Sequence, residues 1–219
     1  MSLSAALFDL DGTLTDPFEG ITRSIQYALE KMQVHVPAAE ELRWCIGPPL
    51  WESFEKLLGT TDRFVQDQAV AFYRERYRKT GLFENVLIEG IDTVVRDLHG
   101  AGVKLYVATS KPHAYAGTIV EHFGLLPFFN HVHGSELDGT RSAKTELIAY
   151  VLEQEGLSAE SCVMIGDRKH DLIGANANHV EALGVMWGYG SRAELAAENP
   201  AGIFDRPADL GSYLRTWGD

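Results

Sequence analysis

The stretch Asp9-Leu10-Asp11-Gly12-Thr13-Leu14-Thr15 sets two carboxylates two residues apart where a short apolar run ends. Such a pair repels itself unless a positive group lies beside it, and a divalent cation would resolve the conflict. A second acidic pair, Asp167 and Asp171, follows the apolar run at 162–166. With a helix starting near Lys169, Asp167 would lie in the loop and Asp171 one turn along, so both could face one ion. Between the two pairs comes Val107-Ala108-Thr109-Ser110-Lys111-Pro112, a hydroxyl group at a strand end followed by a helix start. That arrangement can offer an OH and backbone N–H groups to a phosphate. Lys144 opens a further helix on the same side. Each element alone has a plainer reading: solvent-facing aspartates at a turn, helix caps from Thr109 or Asp167, a solvated surface lysine. Four carboxylates, a hydroxyl and an ammonium converging on one rim are harder to assign to chance.

Those groups converge only if particular elements carry them. Residues 3–10 read as a short buried strand feeding a tight turn. Residues 16–84 contain no convincing strand. There Asp16-Pro17 with Glu19 resembles a helix start, and Phe18, Ile21, Ile25, Ala28, Leu29 and Met32 recur at helical spacing. Pro37, Gly47-Pro48-Pro49 and Gly59 punctuate further helical segments. From residue 85 onward helix and strand alternate. Helices are expected at 90–99, 112–123, 143–155 and 171–178, and extended segments at 103–109, 131–135, 162–166 and 182–187. Apolar strands alternating with helices predict a parallel α/β sheet covered on both faces. The opening strand must join that sheet, since a lone strand cannot bury itself. The helical stretch is then an insertion, expected over the C-terminal ends of the strands, where open sheets bind ligands.

Composition narrows the function classes. The chain has 219 residues, of which 45% are apolar, and a formal charge of −12. A long polyanion such as nucleic acid is therefore not an expected partner, whereas a small anion is, since a metal and local cations override the net field. Apolar runs such as 5–8 and 162–165 fall far short of the roughly 20 residues that span a membrane. The N-terminus has no basic start and no long apolar segment, so no secretory signal is expected. Cys45 and Cys162 are distant in sequence and form no CxxC, which suits a reducing cytoplasm.

Asp9-Leu10-Asp11-Gly12-Thr13-Leu14, the Thr109-Ser110 strand end, Lys144, and Gly166-Asp167 with Asp171 resemble, in order, the four motifs of the haloacid dehalogenase-like superfamily. The likeness covers nearly the whole chain. Within the superfamily, the Gly47-Pro48-Pro49 turn, Ala108-Thr109-Ser110-Lys111-Pro112 and Gly166-Asp167-Arg168 resemble members labelled phosphoglycolate phosphatases or 5′-nucleotidases. The resemblance implies a Rossmann-like parallel core over 1–15 and 85–219 and a helical cap over 16–84. Asp9 would attack phosphorus and Asp11 would act as acid and then base. Mg²⁺ would be held by the Asp9 carboxylate, the Asp11 backbone carbonyl and Asp167, with Asp171 acting directly or through water. Thr109, Ser110 and Lys144 would grip phosphoryl oxygens, and Asp171 would also orient Lys144. Arg168 could meet a second anionic group. The implied substrate is a small phosphorylated metabolite, phosphoglycolate or a nucleoside monophosphate, handled by a monomer or homodimer.

Other readings compete. Asp11 argues against a dehalogenase, which needs no acid there. A phosphosugar mutase shares Asp11 and the cap type, and a phosphonate hydrolase would call for a Schiff-base lysine among Lys31, Lys56 and Lys79. A non-catalytic binding module on this fold is the alternative from another class, though the intact Asp9, Asp11, Lys144 and Asp167 set speaks against it. Gly188-Tyr189-Gly190 reads as a strand-to-loop turn, since it lacks the remaining features of a dinucleotide fingerprint. His131 and His133 alone make no convincing metal site. Phe72, Tyr73 and Tyr77 read as core of the cap, and Arg43, Trp44 and Gly47-Pro48-Pro49 as its candidate specificity surface.

Overall fold

The computed structural model of the chain describes residues 2–218. It forms two compact units, one from the residues before 17 together with those from 87 onward, the other from residues 17–86. The strands are β1 (Ala5–Phe8), β2 (Thr15–Asp16), β3 (Val86–Leu87), β4 (Lys104–Pro112), β5 (His131–Ser135), β6 (Cys162–Gly166), β7 (Glu181–Val185) and β8 (Gly202–Phe204). The helices are α1 (Phe18–Lys31), α2 (Leu50–Leu58), α3 (Arg63–Arg76), α4 (Ile91–Gly100), α5 (His113–His122), α6 (Lys144–Glu155), α7 (Lys169–Ala177), α8 (Arg192–Ala196) and α9 (Pro207–Arg215).

Six strands form a parallel sheet in the order β5-β4-β1-β6-β7-β8, and β2 pairs with β3 in a separate ribbon. All four residues of β1 are fully buried, which is why this strand reads as a continuous apolar run rather than an alternating one. Leu7, Tyr106, Ala108 and Met164 share one face of the sheet. They pack there with Leu147, Ile148 and Val151 of α6 and with Leu172 and Ala175 of α7. Phe8 points to the other face and meets Phe129 edge-on, with ring centroids 6.1 Å apart. Helices therefore cover both faces, as the alternating pattern predicts.

Register matters more than length here. Phe8 lies opposite Val107 of β4 and Ile165 of β6. Asp9 follows Phe8 directly, and Thr109 and Asp167 come two residues after Val107 and Ile165, so all three emerge at the C-terminal edge of the sheet.

Several boundaries differ from expectation. β4 continues through Thr109-Ser110-Lys111 to Pro112 instead of stopping at 109. α7 begins at Lys169, so Asp171 sits inside its first turn. Beyond residue 187 the sequence reading held only a turn, yet the chain adds β8, α8 and α9. β8 is a three-residue edge strand with every residue half-buried, too short and too mixed to show a period.

The second unit is helical. Ile21, Ile25, Ala28 and Leu29 of α1 are buried, and so are Ala69, Val70 and Tyr73 of α3. Tyr73 stacks on Tyr77 with centroids 5.1 Å apart, the aromatic core expected there. Phe64, at the head of α3, is 70% exposed. Asp62 caps that helix by accepting the Phe64 N–H at 2.9 Å. The guanidinium groups of Arg63 and Arg74 both lie over the Trp51 ring, at 4.3 and 5.2 Å from its centroid.

Candidate active site

The apolar run of β1 ends at a turn in which the Gly12 N–H donates to the Thr15 carbonyl at 2.7 Å and the Leu14 N–H to Leu10 at 2.9 Å. This turn folds the chain back directly after Asp9 and Asp11, leaving both carboxylates at the sheet mouth while burying them. The Lys144 side chain, projecting from the first residue of α6, is only 3% exposed and reaches three partners. Its ammonium lies 2.8 Å from Asp9 Oδ1 and 2.5 Å from Asp171 Oδ1, and donates to the Ala108 carbonyl at 2.8 Å. The plain reading of Lys144 as a solvated surface charge is thereby excluded.

Asp167 and Asp171 are fully buried. The Asp171 Oδ2 accepts the Arg168 N–H at 3.1 Å, tying the first turn of α7 to the preceding loop. Asp167 is held by a loop that sequence reasoning passed over. The Tyr189 N–H donates to Asp167 Oδ2 at 2.7 Å. The flanking glycines permit this approach, since a Cβ at Gly188 would lie 2.3 Å from Asp167 Oδ2 and one at Gly190 2.0 Å from the Asp167 carbonyl oxygen. The same loop grips the first motif, where the Trp187 Nε1–H donates to the Thr13 carbonyl at 3.0 Å and the Tyr189 hydroxyl to the Asp16 carboxylate.

One ligand atom from each of Asp9, Asp167 and Asp171 lies within 4.8 Å of the others, a buried, all-oxygen donor set. The electrostatics show the strain of that grouping. Burial pushes the Asp167 carboxyl well above its ordinary range, and neighbouring Asp171 and Asp9 push it further. Burial also raises Asp171 against the opposing pull of Lys144, and raises Asp11 against Lys111. Burial works against the Lys144 charge, but Asp171 and Asp9 outweigh it and hold its pKa above the ordinary value. Asp9, Asp11, Asp167 and Asp171 set four carboxylates against the two buried ammoniums of Lys111 and Lys144. When all four are ionised they exceed the ammoniums by two negative charges, and an oxygen-only donor set of that kind fits a hard divalent cation.

The other candidates fare differently. Thr109 is buried, and its Oγ1 accepts the Lys111 N–H at 3.3 Å. Ser110 is half-buried and its carbonyl accepts the Ser135 hydroxyl at 2.8 Å. The Arg168 Nε pairs with Glu194 Oε1 at 3.0 Å, a bond that gives this guanidinium a structural partner in α8. His133 lies 2.8 Å from Glu155, and its ring sits tilted at 36° to that of His131 with centroids 4.3 Å apart. Lys111 was missed altogether as a site residue, although its ammonium is 2.6 Å from Asp11 Oδ1. No local signal marked it, since the expected strand stops at 109 and Ser110 and Lys111 fall where the β4–β5 register shifts.

An open parallel sheet with its polar cluster at the carboxyl edge defines an α/β protein whose site lies where such sheets bind ligands. Residues 6–185 match the family described as haloacid dehalogenase-like hydrolase, and the chain belongs to that family. It is a phosphoric monoester hydrolase. The 5′-nucleotidase of Pseudomonas aeruginosa is 52% identical over 194 residues, covering 89% of this chain and 87% of that protein. Tyrosine-protein kinase PtkA of Mycobacterium tuberculosis is 39% identical over 213 residues, covering 97% of this chain and 72% of that one. The crystal structure of a predicted phosphatase from Clostridium acetobutylicum superposes with a TM-score of 0.95 at 37% identity, covering 98% and 99% of the two chains. Among the described residues no helix is long and apolar enough to cross a membrane.

Proposed function

We propose that the chain hydrolyses a nucleoside monophosphate or a similarly small phosphate monoester through an aspartyl-phosphate on Asp9. The observation that carries this reading is the placement of Asp9, whose carboxylate lies 2.8 Å from the Lys144 ammonium and within the cluster it shares with Asp167 and Asp171. Its sequence neighbour Asp11 is buried beside it. The 52% identity to a 5′-nucleotidase over most of both chains favours a nucleoside monophosphate over phosphoglycolate.

In the first half-reaction an Asp9 carboxylate oxygen attacks phosphorus and the bond to the leaving oxygen breaks. Asp11 gives its proton to that oxygen, and the alcohol departs. In the second, Asp11 takes a proton from water as the water attacks the phosphoryl group, releasing inorganic phosphate and restoring Asp9. Thr109, Ser110 and Lys144 bind the phosphoryl oxygens and neutralise charge in transit. Mg²⁺, held by Asp9, Asp167, Asp171 and the Asp11 carbonyl, would supply charge neutralisation and orientation for those oxygens when bound. In the cap expected over 16–84, Arg43, Trp44 and the Gly47-Pro48-Pro49 turn are the specificity surface. The buried free thiols of Cys45 and Cys162 suit a cytoplasmic setting.

The test is phosphate release from a panel of nucleoside monophosphates, phosphoglycolate and sugar phosphates, with Mg²⁺ and with chelator. Metal-dependent release strongest with one nucleotide is expected. Isomerised sugar phosphate without release would instead establish a mutase, and no turnover of any compound by folded protein would leave a binding module.

A further inference from the structure

Lys111 has no role in the scheme above, yet the fold goes to some length to place it. β4 and β5 run in step from Tyr106 opposite His131 to Thr109 opposite Gly134, and the next paired residues are Pro112 and Ser135. Ser110 and Lys111 are thus two extra residues between consecutive ladder steps, a bulge of the kind that re-aims side chains beside active sites. The bulge is braced. The Ser135 hydroxyl donates to the Ser110 carbonyl at 2.8 Å, and the Lys111 N–H reaches Thr109 Oγ1 at 3.3 Å. Gly134 makes room for it, since a Cβ there would lie 2.4 Å from the Lys111 carbonyl oxygen and 2.7 Å from the His113 nitrogen.

What the bulge delivers is a charge. The Lys111 side chain is 6% exposed and its ammonium sits 2.6 Å from Asp11 Oδ1. Burying an ammonium is costly unless a partner meets it with good geometry. The other buried ammonium, Lys144, is already committed to Asp9, Asp171 and the Ala108 carbonyl. Each of the two carboxylates of the first motif therefore has its own lysine.

We infer that Lys111 is the positioning residue of Asp11: its ammonium pins one carboxylate oxygen, leaving the other to exchange a proton with the leaving oxygen and then with water. The inference rests on the reading of Asp11 as acid and base. Lys111 keeps its own protons throughout. The proton given to the leaving oxygen as the phosphorus–oxygen bond breaks comes from Asp11, and the attacking water returns it.

The experiment compares kcat/KM for a nucleoside monophosphate, a poor leaving group, with that for p-nitrophenyl phosphate, whose leaving group needs no proton. This ratio reads the steps up to departure of the leaving group, so it isolates the acid role. At saturating Mg²⁺, Asp11→Asn should lose about 10²- to 10⁴-fold on the nucleotide and far less on the aryl ester. Lys111→Met should show the same selectivity at about 10- to 10²-fold, a fraction of that acid contribution. Lys111→Arg should restore part of the loss. Ser135→Ala, which removes a brace of the bulge and keeps the charge, should give a smaller loss of the same selectivity. It carries the test if Lys111→Met folds poorly. Equal losses on both substrates, or none, in the Lys111 and Ser135 variants while Asp11→Asn discriminates would overturn the role of Lys111 alone. If Asp11→Asn itself fails to discriminate, the assignment of Asp11 falls and this inference with it.

Discussion

The sheet edge and the helical unit both contain ion pairs, but of opposite physical kinds. In the helical unit, Arg63 meets Asp67 at 3.1 Å with side chains 58% and 54% exposed. Lys79 meets Glu75 at 3.7 Å in the same solvated setting. At the sheet edge, Lys144 meets Asp171 at 2.5 Å with side chains 3% and 0% exposed. Solvated pairs contribute about 0–1 kcal/mol each, because water and salt screen them. Buried pairs lose hydration that their attraction only sometimes recovers, so stability alone rarely explains them. Pairs such as these keep the helical unit's surface solvated, whereas its Arg76–Glu84 pair, 2.7 Å apart with side chains 19% and 20% exposed, is half-buried. The sheet edge concentrates charge at a cost, and chemistry is the reason to bear it.

Substitutions can break this contrast, beginning with the most damaging. Asp9→Asn should remove turnover by about 10⁵-fold or more, the scale seen when a nucleophile is deleted. Phosphate release measures it, and unchanged activity would sink the nucleophile assignment. Lys144→Met should cost about 3–5 kcal/mol of stability by leaving buried carboxylates without their partner. Urea unfolding in chelator reads this loss, and added Mg²⁺ should recover part of it, because a ligand that binds only the folded state stabilises it. A loss below about 1 kcal/mol would mean that the pair behaves like the solvated ones.

Gly188→Ala addresses the backbone grip on Asp167. Its new Cβ would lie 2.3 Å from Asp167 Oδ2, so the loop must retreat. The Mg²⁺ concentration for half-maximal activity should rise about 10- to 100-fold, the usual effect of disturbing a partner of a metal ligand. An unchanged metal dependence would show that Tyr189 does not orient Asp167.

His133 supplies a pH test within the core. Burial holds its pKa below the ordinary 6.5, with Glu155 pulling the other way. The unfolded chain therefore binds a proton more readily than the folded one. Its contribution to stability is complete above about pH 6.5 and is lost as the pH falls towards the folded value. His133→Gln should flatten the stability profile in that window, read by unfolding midpoints across pH. The smallest effect belongs to the helical surface, where Lys79→Ala should shift stability by less than about 0.5 kcal/mol and leave turnover unchanged.

Much of the fold is legible because its signals are local. The extended segments at 131–135 and 162–166 coincide with β5 and β6. The helical face of Ile21, Ile25, Ala28 and Leu29 is buried as its spacing predicts. Acidic residues placed directly after apolar strands betray the sheet edge, since nothing else requires charge there. The C-terminal β8 and α8 lacked such signals, being three and five residues long.

The sequence by itself determined which groups come to the rim: Asp9, Asp11, Thr109, Lys144, Asp167 and Asp171 each follow or begin an element whose period can be read within a few residues. The tertiary structure decided how those groups are partnered. Lys111 finds Asp11 across 100 residues because β4 lies beside β1 and bulges at its end. Tyr189 finds Asp167 through a backbone N–H, which every residue but proline carries, so its side chain could not advertise the contact. Arg168 turns to Glu194 of α8. Local periodicity reports burial and direction, whereas partnership depends on strand order, register and close approach between distant segments.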